Sequence, residues 1–505
     1  MKKTFAAFAC VALVAGATAA TAGANPSGFK TSEPSLLTPL LPGATVDPII
    51  SVGDTLGDGY MFEAIPDGIA FSANGKGTVD VFVNHETSTV PFPFNATTGE
   101  GFNDFTNAML SRLRLNQHSA GVLRGDYVIP SEANYQRFCS NFLVSEEHGF
   151  ERDLIFTNEE ATDFVYRTGE AWPTTPGDPR AEQAGVVVAY DLKSREYRSI
   201  YGMGRHNHEN SVGIPGYGHP VVLSGDDTFT APSSQLYLYT ADSGADVWND
   251  EGSLWAFKSD VPTVNDYSDL TVGGSVSGEF IPVPRAVAIG DQTALENWSN
   301  ANDVFQFIRV EDIAYDRTTP NVVYIADTGE PRALPGPGTA RMTRGPSGTR
   351  GPFPNGRLFK LVLDEEDPTQ VESLSIEIDA DGGGSYNNPA LIHNLDNLET
   401  TKKSVFIQED PGSHNQGITP ARVWRYDLAT KTAVPVLAVD QSQRPSTPLG
   451  AWESSGIIDA SAVFGPDSFL VDVQAGTLIV DEEQRGSLTY QREGGQLLLV
   501  RIPGS

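Results

Sequence analysis

Acidic residues follow short apolar segments at six places along this chain, and these are the places where the sequence could do chemistry. The segments and their acidic ends are 80–83 with Glu86, 153–157 with Glu159 and Glu160, 236–240 with Asp242, 322–326 with Asp327, 404–408 with Glu409 and Asp410, and 468–471 with Asp472. One such carboxylate is usually a turn residue, but six at similar positions indicate a repeated unit whose strand ends face one place. Carboxylates brought together repel one another unless a cation lies among them. The pattern therefore predicts a metal-binding repeat protein.

The elements that must position these residues are predicted to be strands. Alternating β-branched and aromatic segments recur, separated by Gly, Pro, Asp and Asn clusters, and residues 103–113 are the best candidate for a helix. Residues 187–190 and 195–201 show the alternation of a hairpin, and residues 254–257, 358–361 and 423–426 resemble its first strand. The acidic ends recur roughly every 60–85 residues, which is longer than the ~40–50 residues of short propeller repeats. The sequence predicts an all-β fold, a six-bladed β-propeller with long inter-strand loops and a central metal site.

The N-terminal segment has the composition of an export signal. Lys2 and Lys3 precede an apolar stretch at residues 5–14 that is too short to span a bilayer, and a cleavage site fits after Ala24. We predict a signal peptide at residues 1–24, an extended lead-in at 25–45 and a single propeller domain at 46–505. The protein is therefore expected to be secreted or periplasmic, without a membrane span.

Charge limits the partners of this protein. The formal net charge is −31, which argues against nucleic acid and anionic membranes because both require basic patches. An anionic substrate would need a metal to bring it to such a protein. High solubility alone would also explain the charge.

Cys139 is the single cysteine left after signal removal, because Cys10 lies within the predicted signal peptide. No intramolecular disulfide can then form. A lone thiol in an oxidising compartment is a liability unless it is buried or ligated. Two interpretations remain open, a buried core cysteine and a metal ligand.

Several polar clusters accompany the acidic ends. They are residues 84–86, 204–210, 309–312 and 396–397, and two of them contain the triplet Asn-His-Glu. Carboxylates with neighbouring asparagines suit hard, oxygen-preferring cations, above all Ca²⁺. Because the clusters fall in different predicted blades, the set indicates a shared site.

In these motifs the chain resembles the PhoX-type alkaline phosphatases, which are secreted propellers that contain iron and calcium. The matching segments are 82–86, Cys139 with 154–160, 204–209, 309–312, and 395–398 with 406–410, in the family's order. The resemblance implies a phosphomonoesterase acting on a small phosphate ester, with Ca²⁺ and Fe³⁺ as cofactors. It implies Arg309 as the catalytic phosphate clamp, a role that suits its planar donor fork. The metal ligands that it implies are Cys139, Glu86, Glu159, Glu160, Glu209, Glu311 and Asp396.

Two alternatives accompany this hypothesis. One is another calcium-dependent propeller hydrolase, of a lactonase- or phytase-like kind, and the other is a non-catalytic, calcium-stabilised secreted binding protein. Propellers support many functions, so the fold does not choose among them. Cys139 discriminates, because a mixed iron–calcium site predicts that its thiol is ligated and the alternatives leave it inert.

Overall fold

Strands make up most of the regular structure. The computed structural model describes residues 27–86, 93–95, 100–101, 107–167, 179–228, 232–337, 340–382, 388–412, 418–485 and 488–505. The predicted signal peptide lies outside these residues. The α-helices are α1 (Gly244–Trp248), α2 (Arg285–Ala288), α3 (Gln292–Ala301) and α4 (Ser461–Phe464), and 3₁₀ turns occupy Ser131–Ala133, Glu146–His148 and Tyr201–Met203.

The strands follow one another in chain order through turns and loops of unequal length. The first sixteen are β1 (Leu37–Pro39), β2 (Thr45–Ser51), β3 (Pro66–Gly75), β4 (Thr78–His85), β5 (Pro93–Asn95), β6 (Glu100–Gly101), β7 (Met109–Asn116), β8 (Val122–Ile129), β9 (Phe138–Val144), β10 (Leu154–Glu159), β11 (Phe164–Val165), β12 (Glu182–Gln183), β13 (Val187–Asp191), β14 (Tyr197–Ile200), β15 (His208–Gly213) and β16 (Val221–Asp226). The others are β17 (Leu236–Thr240), β18 (Ser253–Ser259), β19 (Ser275–Pro282), β20 (Val310–Tyr315), β21 (Val322–Asp327), β22 (Ala333–Leu334), β23 (Thr343–Arg344), β24 (Arg357–Leu363), β25 (Gln370–Asp379), β26 (Leu395–Thr400), β27 (Ser404–Glu409), β28 (Arg422–Asp427), β29 (Thr432–Val439), β30 (Glu453–Asp459), β31 (Ser468–Arg485) and β32 (Leu488–Arg501).

Within the described residues these strands form six antiparallel blades. The blades are β3-β4-β7-β8, β9-β10-β13-β14, β15-β16-β17-β18, β20-β21-β24-β25, β26-β27-β28-β29 and β30-β31-β32-β2. Their first strands contact one another in sequence, and β30 returns to contact β3. This closed ring of inner strands is the arrangement of a propeller, and it confirms the predicted fold class.

The N-terminal segment closes the ring. Strand β2 pairs antiparallel with β32 and supplies the fourth strand of the last blade, so the two ends of the chain share one sheet. Strand β1, inside the predicted lead-in, pairs with β29 at the edge of the fifth blade. In the third and fourth blades, β19 pairs with β25 and joins the two outer edges.

The hydrophobic core is divided among the six contacts between neighbouring blades. Six buried clusters join adjacent blades. One joins the first and second blades and includes Phe82 and Ile155, and another joins the second and third and includes Phe156 and Val222. Leu470 belongs to the cluster that joins the last blade to the first. Both faces of every blade are thus covered by apolar side chains, which leaves the polar residues to the strand ends and to the axis.

The predicted helix at residues 103–113 is wrong over its described part. Residues 109–113 belong to β7, where buried residues such as Leu113 alternate with half-buried ones along the strand. Residues 103–106 lie outside the described residues. The predicted hairpin at 187–201 is confirmed, because β13 pairs with β14 from Tyr190 opposite Tyr197 onward. Among the described residues, no helix combines the length and the apolar character required to cross a membrane.

Candidate metal centre

Each of the six inner strands begins with a metal-ligating type of residue. The residue is the second of its strand in five blades and the first in the sixth. Together these residues form the inner ring, which consists of Asp67, Cys139, Glu209, Glu311, Asp396 and Glu453. Within a few residues of each of them, the inner strand gains one residue relative to its neighbour, a β-bulge. Bulges re-aim side chains near functional sites, and here one recurs in every blade.

The second strand of each blade contributes an outer ring. In five blades, one residue of the second strand pairs with the first residue of the inner strand, and the outer-ring residue comes directly after it. In the sixth blade, the outer-ring residue itself pairs with Glu453. The outer ring consists of Glu86, Glu160, Asp227, Thr328, Asp410 and Gln474. The pairing register therefore places inner-ring and outer-ring residues at the same end of every blade.

Nine residues of the two rings form four overlapping groups that could hold metal ions. The groups are Asp67–Glu86–Cys139, Cys139–Glu160–Glu209, Glu209–Glu311–Asp396 and Asp396–Asp410–Glu453, and within each the ligand atoms lie within 4.8 Å of one another. The first two groups are fully buried and the fourth is half-buried, so solvent approaches the cluster from the fifth and sixth blades. Each group shares one residue with the next, which makes a continuous centre rather than four separate sites.

Cys139 lies at the junction of the first two groups. Its Sγ is 3.0 Å from Asp67 Oδ2 and 3.1 Å from Glu209 Oε1. Burial, followed by the charges of these two carboxylates, raises the pKa of the Cys139 thiol well above its usual range. The thiol is therefore protonated unless a cation offsets the neighbouring negative charge.

The carboxylates of the two rings likewise lie close to other negative groups. Burial, and then the charges of nearby acids, raises the pKa of Glu86, Glu160, Glu209, Glu311, Asp396 and Glu453 well above the usual range. Ser140 Oγ donates to Glu209 at 3.0 Å, and Gln474 Nε2 donates to Glu86 at 2.8 Å. Such neutral donors do not supply the positive charge that eight clustered carboxylates need. The donor set thus fits bound cations, and two groups contain only oxygen donors of the kind that Ca²⁺ prefers.

Arg309 is a cation placed directly at this centre. Its Nε donates to Asp227 Oδ1 at 2.6 Å, its Nη2 donates to Asp227 Oδ2, and its Nη2 lies 3.4 Å from Glu311 Oε1. Burial alone would lower the pKa of Arg309, but the charges of Asp227 and Glu311 outweigh it and raise the pKa. The guanidinium is thus permanently charged and held beside the third group.

Glu159 is the predicted ligand that the structure places elsewhere, and that prediction is corrected. Its carboxylate accepts from Arg167 Nη1 at 2.7 Å and Nη2 at 2.6 Å, and from the backbone N–H groups of Gln136, Gly185 and Val186. These donors occupy both oxygens, which makes Glu159 a structural anchor between blade segments. The next residue, Glu160, belongs to the second group.

Sequence reasoning missed four acidic residues of the centre. Asp67, Asp410 and Glu453 lie in the groups, and Asp227 holds Arg309. Asp410 stood within a recognised acidic end but was not singled out, and the predicted third strand end, Asp242, follows the third strand of its blade instead of the second. An acidic residue or a cysteine at the first or second position of each inner strand, followed by Gly, Ser, Asn or Asp, is the sequence signal that would have identified Asp67.

The remaining conspicuous residues stabilise the surroundings of the centre. His208 is hydrogen-bonded to Ser224 Oγ at 2.8 Å, and its ring lies 3.6 Å from that of His206. Asp327 accepts from the backbone N–H groups of Ile308 and Gly329 at 2.9 Å each. These contacts fix the chain segments next to Glu209 and Arg309.

A cavity of about 710 Å³ lies on the other side of the rings. Ser140, Asn210, Asp312 and Asn397, each next in sequence to an inner-ring residue, line its floor, and Arg317 and Lys402 lie among its other lining residues. The cavity therefore extends along the inner strands away from the metal centre.

Comparisons with known proteins add likenesses of overall shape. No protein-family model matches the chain, and no curated protein matches it. A Dyadobacter fermentans protein of unknown function is 9% identical, with a TM-score of 0.44 over 91% of this chain and 100% of that one. The NanB sialidase of Streptococcus pneumoniae is 7% identical, with a TM-score of 0.43 over 90% of this chain and 71% of that one, and a Trypanosoma rangeli sialidase is 8% identical, with 0.35 over 92% and 60%. Likenesses this distant carry no argument about activity.

Proposed function

We propose that this protein is a metal-dependent phosphomonoesterase of the PhoX-like kind, with Ca²⁺ and Fe³⁺ as its cofactors. The observation that carries the proposal is the convergence of one thiol and eight carboxylates on the propeller axis, with an arginine held beside them. An acidic protein needs such a centre to attract a phosphate ester, because its own charge repels anions.

The composition of the four groups favours two kinds of metal. The two groups that share Cys139 include a sulfur donor, which selects a transition metal over calcium, whereas the Glu209–Glu311–Asp396 and Asp396–Asp410–Glu453 groups offer only oxygen donors. Iron at the thiol and calcium at the all-carboxylate groups is the assignment that this chemistry favours.

The chain's own residues would do the following work. Arg309 would bind equatorial phosphate oxygens and stabilise the charge that develops on them. Asp227 would fix the guanidinium in one orientation through its two hydrogen bonds. Ser140, by donating to Glu209, would hold that carboxylate in place. Bound metal ions would neutralise the phosphate and activate an oxygen nucleophile.

The test is reconstitution with defined metals. The mature protein is stripped by chelation and reloaded with Ca²⁺, with Fe³⁺ or with both, and hydrolysis of a chromogenic phosphate monoester is measured beside elemental analysis. We expect activity only after reloading with both, and its loss in Glu209→Gln, because Glu209 is shared by two groups. The matched control is Glu372→Gln, whose side chain is exposed on β25.

One result would overturn the proposal. If fully loaded protein hydrolyses neither monoesters nor diesters, the centre serves another calcium-dependent hydrolase or a non-catalytic binding protein.

Export of the chain, expected from its N-terminus, accords with a phosphatase that acts on phosphate esters outside the cytoplasm.

A further inference from the structure

The four metal-ligating groups are not equivalent. The first, second and fourth groups each combine two inner-ring residues with one outer-ring carboxylate, which is Glu86, Glu160 or Asp410. The third group, Glu209–Glu311–Asp396, consists of inner-ring residues only. The outer side of this group therefore lacks the acidic donor that the other three groups have.

The outer-ring residues beside the third group are Asp227 and Thr328. The carboxylate of Asp227 is engaged with the Arg309 guanidinium. Thr328 is 1% exposed, and its Oγ1 has no hydrogen-bond partner among the described residues. The Thr328 backbone N–H donates to the Arg309 carbonyl oxygen at 3.0 Å, so the two residues are adjacent across the blade.

The hydroxyl at this position differs from every other member of the outer ring. Four members are carboxylates, and the other neutral member, Gln474, already donates to Asp67 at 3.2 Å and to Glu86 at 2.8 Å. A buried polar group without a partner is costly unless a ligand or water satisfies it. Of the two neutral outer-ring residues, Thr328 is thus the one whose donor is unused among the described residues.

We propose that the outer side of the Glu209–Glu311–Asp396 group is the phosphate subsite, and that the Thr328 hydroxyl donates a hydrogen bond to the substrate phosphate beside Arg309. This inference rests on the proposed phosphatase function and adds a substrate-contacting residue to it. The half-buried Asp396 marks the side of the third group from which solvent reaches it. The fourth blade then binds the anion, while the outer carboxylates of the first, second and fifth blades complete their metal-ligating groups.

The experiment measures binding of inorganic phosphate to the metal-loaded protein by calorimetry, with elemental analysis of each variant. Thr328→Val keeps the shape of the side chain and removes the hydroxyl, and we expect its Kd for phosphate to rise about tenfold to a hundredfold, the usual effect of losing a hydrogen bond to a charged group. Thr328→Ser should stay within about threefold of the wild type. Thr328→Asp introduces the carboxylate of the other blades, and it should retain metal while its phosphate affinity falls by at least about a hundredfold. Thr400→Val is the matched control, because its buried hydroxyl donates to the Tyr315 carbonyl at the far end of β26.

The outcomes separate this inference from the function on which it rests. If the wild type hydrolyses monoesters and Thr328→Val binds phosphate as tightly as the wild type, the subsite is wrong and the phosphatase stands. If Thr328→Val loses metal in proportion to phosphate, Thr328 is a metal ligand or a structural residue and the inference is overturned. If metal-loaded wild type binds no phosphate, both proposals fall. A metal content unchanged in all three Thr328 variants, with the expected order of phosphate affinities, supports the subsite.

Discussion

Removing Arg309 should damage stability and activity by separable mechanisms. Asp227 has a fully buried side chain and Arg309 is 11% exposed, and two hydrogen bonds join them. Arg309→Ala leaves a buried carboxylate without its partner, which typically costs about 3–5 kcal/mol of unfolding free energy. The same substitution removes charge stabilisation from the transition state, worth about 2.7–4 kcal/mol by analogy with one oxyanion donor, or about 10²- to 10³-fold in rate.

The double variant Arg309→Ala/Asp227→Asn distinguishes the two effects. Replacing the carboxylate by an amide removes the stranded charge, so most of the lost stability should return, as followed by denaturant unfolding of the metal-loaded protein. Hydrolysis of a chromogenic monoester should remain reduced about 10²- to 10³-fold, because the phosphate contact is still missing. Arg112→Ala is the control, since its Asp126 partner is half-exposed and the pair should contribute at most about 1 kcal/mol.

The decisive result is the activity of the double variant. If hydrolysis recovers together with stability, Arg309 is a structural residue whose removal merely disturbed the fold, and the phosphate-clamp hypothesis is refuted.

Three further predictions follow from the same structure. Metal removal should lower the unfolding midpoint, because ions that bind only the folded state stabilise it by about 2.7 kcal/mol at a hundredfold excess over Kd; melts with and without chelator that coincide would contradict the metal centre. Cys139 should be labelled by a thiol reagent more slowly in metal-loaded than in chelated protein, because ligation occupies the sulfur, whereas chelation leaves a buried, protonated thiol that reacts whenever the fold opens locally; equal labelling rates would leave it an ordinary core cysteine. Burial, aided by the Arg317 charge, lowers the pKa of His148 to about 4 from 6.5. The stability that the buried neutral imidazole gives the folded state is therefore fully present above pH 6.5 and is lost as the pH falls from 6.5 towards 4. In metal-free protein, His148→Gln should therefore flatten the loss of stability over this range by up to about 3 kcal/mol, and identical pH profiles would refute the assignment.

The sequence by itself predicted the propeller because its repeat is local. Each blade is built from neighbouring segments whose alternation and turn residues can be read in order, and the hairpin of β13 and β14 lies where its alternating residues indicated. The acidic strand ends were readable for the same reason, and Glu86 and Glu160 join the groups at the axis. The error at β7 arose where apolar residues are dense enough to fit a helix or a strand.

Only the tertiary structure decides which of two adjacent acidic residues reaches the metal centre. Glu159 and Glu160 are neighbours in sequence, but Glu159 faces Arg167 and Glu160 faces the axis. The two directions differ because Glu159 is the last paired residue of β10, opposite the bulge in β9. Asp67 and Glu453 are far apart in sequence, but they lie on contacting inner strands, β3 and β30, because pairing of β2 with β32 closes the ring. Local pattern determines which residues form strands and where the strands end. Only closure of the ring decides which of those ends face one another, because long-range pairing register sets the direction of each side chain.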